Sequence, residues 1–504
     1  MVRGASACQD TTVTSAGTTT ELDDANRGTK TFFGQPRQLA HIFGVEMWER
    51  FSFYGMQGIL LLYLFYPADQ GGLGIPKDTA AGIVGAYGGA VYLSTILGAW
   101  LADRILGSER VLFFSAILIM FGHIALALLP GGLGVAVGLV TIAIGSGGLK
   151  ANATSIVGTL YSADDPRRDA GFSLFYLGIN LGAFVGPLLT GLAQTTLGFH
   201  YGFGLAAIGM AAGLIQYSVG RRHLPKAASI VPNPLPASHR TRAVVVAVVA
   251  VVIVAIAVAT GILNVGNLVT VVIGLTLIAA IAYFAVILRS KLITKTERSR
   301  VFAFIPLFIA SVAFWSLYQQ QFTVVTLYAD SQLNRDLFGW QMPVSWVQSI
   351  NPIFIIILSG VFAAIWTKLG SRQPATPLKF AGGTIVMGVA FLLFLPFAGG
   401  GANSTPLLAL VGILFVFTIA ELLISPVGLS ISTKLAPAIY RTQMVALFFL
   451  SIALGTAISG QLAALYNPAN QAPYFGVLGG IAIVIGLLLA FSTPLVRRLM
   501  AGVR

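Results

Sequence analysis

Apolar runs of about 20 residues or more recur along the whole chain, and short polar connections separate them. A run of this length can cross a hydrocarbon core of about 30 Å as a helix, so each run predicts one membrane-spanning helix. The pattern predicts fourteen such helices. Their expected ranges are 41–66, 78–103, 109–130, 132–156, 170–197, 200–220, 241–262, 267–288, 301–329, 344–367, 377–397, 405–432, 439–466 and 473–499.

One face of the first predicted helix is polar and charged instead of apolar. Its residues recur with the helical period and are Glu46, Glu49, Arg50, Phe53, Tyr54 and Gln57. An ionised side chain at mid-membrane costs roughly 2.5 to 3.5 kcal/mol on insertion scales. This face is therefore expected to line a pathway enclosed by protein or water, and not to point at lipid.

The composition also indicates an integral membrane protein. Of the 504 residues, 56% are hydrophobic and only 9% are charged, and the mean hydropathy is +0.85, whereas roughly 25% of residues in soluble domains are charged. The net charge is +13, and membrane topology explains where the basic residues lie. Of the 30 Lys and Arg residues, 26 are in the tails or in connections on one side of the membrane. By the positive-inside rule both termini are cytoplasmic. Nucleic acid is therefore not an expected partner.

The N-terminal tail is rich in Ser, Thr, Gly and Asp and has no apolar core. It does not have the pattern of a signal peptide, so residues 1–36 are interpreted as a disordered cytoplasmic tail. Cys8 in this tail is the single cysteine of the chain, and no internal disulfide is expected.

Two predicted helices, 241–262 and 267–288, are made almost wholly of Val, Ala, Ile, Leu and Gly, and basic linkers bracket them. A helix that is apolar all round packs against lipid or protein, so removing this pair leaves six helices on each side. The expected organisation is a six-helix bundle over 37–222, a linker with two inserted helices over 223–300, a second six-helix bundle over 301–499 and a cytoplasmic tail over 500–504.

The connection after the second helix contains Gly98-Ala-Trp-Leu-Ala-Asp103-Arg104. This string resembles the loop signature of the major facilitator superfamily, and Lys368-Leu-Gly-Ser-Arg372 is a fainter echo in the second half. The resemblance implies an all-α integral membrane fold with two six-helix bundles around a central site, here with two extra helices inserted between them.

Five charged residues lie well inside the predicted helices. They are the acids Glu46, Glu49 and Glu421 and the bases Arg50 and Lys150. If all five side chains ionise, one negative charge is in excess, so one of the acids can take up a proton. An acid that shares its basic partner with a bound substrate then couples proton binding to substrate binding. The alternative is that Glu46 with Arg50 and Glu49 with Lys150 are fixed ion pairs, but such pairs seldom add net stability over apolar packing.

Glu421 has no basic residue within ten positions in its own helix. An acid in the second half, opposite Arg50 and Lys150 in the first, would make a cavity that is negative at one end and positive at the other. Such a cavity suits a zwitterion, whose ammonium would face Glu421 and whose carboxylate would face the two bases.

Five motifs in chain order resemble those of the proton-dependent oligopeptide transporter family. They are Glu46-x-x-Glu49-Arg50-Phe51, Gly145-x-Gly147-x-x-Lys150-x-Asn152, Phe175-Tyr176-x-x-Ile179-Asn180-x-Gly182, Gln348-Ser-Ile-Asn351-Pro352 and the segment from Glu421 to Ser430. The resemblance implies a transporter, and not an enzyme, that takes up di- and tripeptides by alternating access. It implies no cofactor, with protons as the coupling ion.

The resemblance also assigns roles to individual residues. Those expected to take part in proton coupling are Glu46, Glu49, Arg50 and Lys150. Those expected to bind substrate are Arg50 and Lys150 at the peptide carboxylate, Glu421, Asn180 and Asn351 at its amino terminus, and Tyr54, Gln57, Tyr92, Trp315, Gln319 and Ser425 along the cavity.

The chain departs from the family pattern at Gln57 and Gln319, where many members have an arginine and a glutamate that form a salt bridge across the bundles. Losing one partner would leave an uncompensated charge, whereas losing both leaves two amides able to hydrogen-bond. The gate is therefore expected to work without that ion pair. Phe448 replaces a usual tryptophan and Phe53 a common tyrosine, changes that would reshape the side-chain pockets.

Two alternatives stay open beside peptide import. The chain could export drugs or import another small anion on the same fold, although the intact first-helix motif and Lys150 count against this. It could also be a peptide sensor that binds without transport, which a comparison of thermal stabilisation with uptake would separate. The expected setting is the plasma (inner) membrane, with the protein working as a monomer.

Overall fold

The computed structural model describes residues 31–162 and 164–503. Most of the predicted disordered tail, including Cys8, lies outside the described residues. Fifteen α-helices occur in the described part of the chain. They are α1 (Leu39–Phe65), α2 (Lys77–Leu101), α3 (Ser108–Leu128), α4 (Gly131–Gly158), α5 (Arg168–Leu197), α6 (Phe199–Gly220), α7 (Ala237–Ala259), α8 (Leu268–Arg289), α9 (Lys295–Tyr318), α10 (Val324–Ser331), α11 (Ile350–Leu369), α12 (Thr376–Leu392), α13 (Leu407–Lys434), α14 (Arg441–Ala463) and α15 (Ala472–Leu499).

These helices confirm the fourteen predicted membrane crossings. Thirteen segments of the described chain are long and apolar enough to cross a membrane, and one of them, Lys295–Ser331, combines α9, a 3₁₀ turn and α10. The fourteenth crossing is α1, whose charged face lowers its hydropathy and which is instead buried by its neighbours. The two short strands β1 (Asp336–Leu337) and β2 (Trp340–Gln341) form an antiparallel hairpin in the connection that follows α10.

The first bundle, α1 to α6, packs around α1, which contacts both α5 and α6. Glycines on one face of α5 allow a close approach to the backbone of α1. A Cβ atom at Gly182 would collide with the carbonyl oxygen of Met47, and one at Gly186 with that of Phe51. This contact buries one side of α1, so its charged face is left to point between the bundles.

The second bundle, α9 to α15, has an aromatic core. α12 packs against α13 and α15, and α9 packs against α14. The rings of Phe394 and Phe475 stack with centroids 4.4 Å apart, and Phe391 stacks on Phe417 with centroids 5.8 Å apart. Such offset ring pairs add packing energy beyond the apolar area that they bury.

The inserted helices α7 and α8 lie outside the two bundles. No residue of α7 is buried, as expected for a lipid-facing apolar helix. α8 packs instead against α2 and α14, where Val269 and Val272 lie beside Gly82 and Gly89 of α2. This helix therefore covers the line along which the two bundles meet.

α9 begins six residues before the predicted start at residue 301. Thr294 accepts a hydrogen bond from the backbone N–H of Glu297, and the Glu297 carboxylate accepts one from the backbone N–H of Thr294. This reciprocal capping box starts the helix in polar sequence, ahead of the apolar run that enters the membrane.

The two bundles are closed against each other on the side where α1 ends. α2 and α14 touch at Gly85 and Gly460. Several side-chain hydrogen bonds join the bundles in this half and at mid-membrane. These bonds run from Tyr66 to Asp330 (2.6 Å), Ser345 to the Pro187 carbonyl (3.1 Å), Trp346 to the Leu188 carbonyl (3.0 Å) and Ser349 to the Phe184 carbonyl (2.7 Å). We call these hydrogen bonds, together with the Gly85–Gly460 contact, the seal.

Candidate functional site

A cavity of about 250 Å³ lies between the two bundles, below the seal. All of the predicted site residues except Glu49 line it. Those that line it are Glu46, Arg50, Tyr54, Gln57, Tyr92, Lys150, Asn180, Trp315, Gln319, Asn351, Glu421 and Ser425. Residues from both halves of the sequence therefore meet in one place, although their roles stay predictions.

Arg50 lies between two acids at the end of the cavity formed by the first bundle. Its Nε atom is 2.9 Å from Glu46 Oε1 and 3.0 Å from Glu49 Oε2. All three side chains are at most 4% exposed. The alternative pairing of Glu49 with Lys150 is absent from the described residues. A single base thus serves both acids of the first-helix motif.

Ser146 of α4 holds Glu49 behind the cavity wall, because its hydroxyl donates to Glu49 Oε1 at 2.9 Å. The hydrogen bonds of this cluster are incomplete within the described chain. Arg50 Nη2 and Glu46 Oε2 are buried there without a hydrogen-bond partner. Unpaired polar atoms of this kind are costly, and one reason to retain them is a partner that binds during function.

Lys150 of α4 forms no ion pair within the described residues. Its Nζ atom lies 4.2 Å from the ring centroid of Tyr92 on α2, which is cation–π geometry. This ring stabilises the ammonium without neutralising it. The charge of Lys150 is therefore available to an anionic group that enters the cavity.

Glu421 of α13 lies at the opposite end and is held by neutral donors. Tyr318 Oη donates to Glu421 Oε2 at 2.8 Å, and Asn351 Nδ2 donates to the same oxygen at 3.3 Å. Thr418 accepts a second bond from Asn351 Nδ2 at 3.0 Å. No hydrogen bond in the described chain involves Glu421 Oε1, so one oxygen of this carboxylate remains for a donor that enters the cavity.

Gln57 and Gln319 both line the cavity, but no hydrogen bond joins their amides in this structure. Gln57 Oε1 is buried without a partner in the described chain. Neither residue leaves an unpaired charge. Neither the ion pair nor a hydrogen bond between the two amides joins the bundles at this point.

Tyr318 and Ser146 were not recognised in the sequence as site residues. Tyr318 follows Trp315 by three positions, which places both on one helix face, and Ser146 precedes Lys150 by four. Helical spacing from a predicted residue would have found both. Asn180, in contrast, donates to the carbonyl of Tyr176 in its own helix at 2.9 Å and contacts no charged site residue by a hydrogen bond.

Comparisons with known proteins show which family this chain resembles. A family model described as the POT family matches residues 109–478. A di-/tripeptide transporter of Lactococcus lactis subsp. cremoris is 40% identical over 497 residues, covering 96% of this chain and all of the relative. An uncharacterized transporter, YclF, of Bacillus subtilis is 43% identical over 477 residues, covering 94% of this chain and 97% of the relative.

Solved structures show the same fold. The crystal structure of a peptide transporter POT in complex with sulfate superposes with a TM-score of 0.90 at 45% identity, covering 94% of this chain and 97% of that chain. A mutant of a peptide transporter POT in complex with alafosfalin superposes with a TM-score of 0.89 at 45% identity and the same coverage.

Proposed function

Because the chain belongs to the POT family, we propose that this multi-pass membrane transporter is a proton-coupled symporter that imports di- and tripeptides by alternating access. The observation that carries the proposal is the charge arrangement of the cavity. Arg50 and Lys150 lie at one end and Glu421 at the other. A peptide with a free ammonium and a free carboxylate matches both ends.

The binding mode follows from the atoms that the site leaves available. The peptide carboxylate meets the unpaired Nη2 of Arg50 and the Lys150 ammonium. The peptide ammonium donates to Glu421 Oε1, whose neighbour Oε2 is already held by Tyr318 and Asn351. Charge-assisted hydrogen bonds at both ends select for the zwitterion over an uncharged amide.

Proton coupling arises from the shared base. Glu46 and Glu49 both depend on Arg50 for compensation of their charge. A peptide carboxylate that binds Arg50 competes with them, so the free energies of proton binding and peptide binding become coupled. The same reciprocity allows an inward proton gradient to drive peptide uptake.

The proposed cycle starts from the conformation described above, with the seal closed. With both termini cytoplasmic, as the basic connections indicate, the seal lies on the extracellular side and this conformation serves release into the cell. Gln57 and Gln319 carry no charge, so the opposite gate opens and closes without breaking an ion pair. We propose that one monomer in the plasma membrane completes this cycle.

The test is peptide uptake into proteoliposomes with an acidic exterior and an inside-negative potential. We expect accumulation of a dipeptide that collapses when a protonophore removes the gradient. Absence of accumulation under these conditions would contradict transport. Thermal stabilisation by the same peptide without flux would instead identify a sensor, and uptake of N-acetylated or amidated compounds in preference to peptides would favour the drug or anion transporter.

Substitutions separate the charged contacts from the neutral ones. We expect Lys150→Ala and Glu421→Ala to abolish uptake, because each removes one end of the zwitterion site. Gln57→Ala is the matched cavity control and should have a milder effect, since it removes no charge. Equal loss in all three correctly folded variants would contradict the zwitterion mode.

A further inference from the structure

A second cavity, of about 580 Å³, lies at the ends of four crossings of the second bundle. Its walls come from the last turn of α11, the first turn of α12, the last turns of α13 and the end of α15. We call it the basic pocket and define it by the polar and aromatic residues Trp366, Gln373, Lys379, Ser430, Lys434 and Arg497. It is separate from the central cavity and shares no lining residue with it.

Among the described residues, the lining of the basic pocket carries positive charge and no acidic side chain. Lys379, Lys434 and Arg497 contribute to its lining, which includes neither Asp nor Glu. Lys379 Nζ donates to Gln373 Oε1 at 2.7 Å and lies 4.1 Å from the ring centroid of Trp366. Within the described chain neither Lys379 nor Arg497 has an ion-pair partner. An anion would relieve the repulsion between these cations, since opposite charges attract strongly near a low-dielectric surface.

The other lining residues indicate that the anion carries an apolar part. Apolar side chains also line the pocket, among them Pro426, Val427, Ile431, Met500 and Val503. The pocket lies where membrane-crossing helices end, which is the depth of the lipid headgroups. Basic pockets between transmembrane helices at this depth are suited to anionic lipid headgroups.

We propose that the basic pocket binds the phosphate-bearing headgroup of an anionic phospholipid. Lys379 and Arg497 contact the phosphate, and the apolar residues contact the glycerol and the start of the acyl chains. α13 connects this pocket to the transport site, because it carries Ser430 at the pocket and Glu421 in the central cavity. Since the pocket lies within one bundle, a bound lipid holds the ends of α11, α12, α13 and α15 together in any conformation of the cycle.

The experiment uses the purified full-length chain in a neutral detergent. Thermal unfolding and native mass spectrometry are measured with added phosphatidylglycerol, phosphatidylcholine, or inorganic phosphate. The variant pair Lys379→Ala and Arg497→Ala removes two charges from the pocket. Its matched control, Arg110→Ala with Arg222→Ala, removes two charges on the same side of the first bundle, outside the pocket.

Phosphatidylglycerol should stabilise the wild type more than phosphatidylcholine does, and the control pair should keep this difference. The pocket pair should lose it, with affinity for phosphatidylglycerol lower by about 30-fold. Equal responses of the two pairs would overturn the proposal, because they would indicate general surface electrostatics. An equal response to inorganic phosphate would identify a free-anion site instead.

If the double pocket variant does not fold, the exposed Arg497→Gln change alone, compared with Arg222→Gln, provides the same test. The charge-preserving pair Lys379→Arg and Arg497→Lys should retain the lipid response. None of these readouts depends on peptide transport, so a negative result leaves the proposed transport function intact, and a failure of transport leaves the lipid site intact.

Discussion

The seal is closest at Gly85 of α2 and Gly460 of α14, which makes Gly85→Ala a sharp test of how the bundles close. A Cβ atom at residue 85 would lie 2.5 Å from the Cα and 2.7 Å from the backbone nitrogen of Gly460. Backbone atoms cannot rotate away as a flexible side chain can. The same change at Gly82, one turn earlier, brings a Cβ only to within 3.6 Å of a Val269 methyl group, which is ordinary contact.

The size of the effect follows from these distances. Non-bonded carbons are most stable about 3.5 to 4.0 Å apart, so α2 and α14 must separate by roughly 1 Å to admit the new methyl group. Overpacking of this kind costs about 1 to 3 kcal/mol. Because the cost falls only on the sealed conformation, its population relative to the other conformations should fall about 5- to 150-fold. The gain in helix propensity, about 1 kcal/mol, is common to both alanine variants.

The assay is cysteine accessibility in intact cells. Cys8→Ser removes the natural thiol, and Thr456→Cys places a new one in the central cavity beside the seal. A membrane-impermeant maleimide added outside should label this thiol faster when Gly85→Ala is present. Gly82→Ala should label at the wild-type rate, and dipeptide uptake should slow only in the Gly85 variant.

Two results would refute this reasoning. Equal labelling of the two alanine variants would show that the α2–α14 contact does not limit opening. Slower uptake in Gly85→Ala at an unchanged labelling rate would show that the substitution acts elsewhere than on the seal. Protein amount and thermal stability, measured on the same samples, control for simple misfolding.

Three further predictions concern the site and the fold. Tyr318→Phe removes one hydrogen bond to the Glu421 carboxylate, about 1.5 to 3 kcal/mol, so competition binding should show a dipeptide affinity at least tenfold weaker; unchanged affinity would contradict a positioning role. Gln57→Arg should impair uptake by leaving an unpaired charge, and adding Gln319→Glu should restore much of it; no rescue would argue against their pairing across the bundles. Thr294→Ala removes the capping box and should lower the free energy of unfolding by about 1 kcal/mol. Peptide affinity, measured on the same preparation, should not change.

Hydropathy determined the crossings because each must bury its backbone polar groups in hydrocarbon, and only an apolar helix of sufficient length does so. The charged face of α1 was also predictable, because the helical period places Glu46 and Arg50 on one side of the helix. Hydropathy does not locate helix ends that lie in polar sequence. α9 begins at Lys295, where capping by Thr294 and not hydropathy decides the start.

The sequence by itself therefore determined the number of membrane crossings, their grouping into two bundles with an inserted pair, and which face of α1 carries charge. The tertiary structure alone decided the partners: that Arg50 serves both Glu46 and Glu49, and that Tyr318 and Asn351 hold one oxygen of Glu421. It also decided which side is sealed and where the basic pocket forms. The physical reason is the separation of the residues along the chain. Helical periodicity depends on residues a few positions apart. Most of these contacts join side chains of different helices, and whether those side chains meet depends on how whole helices pack.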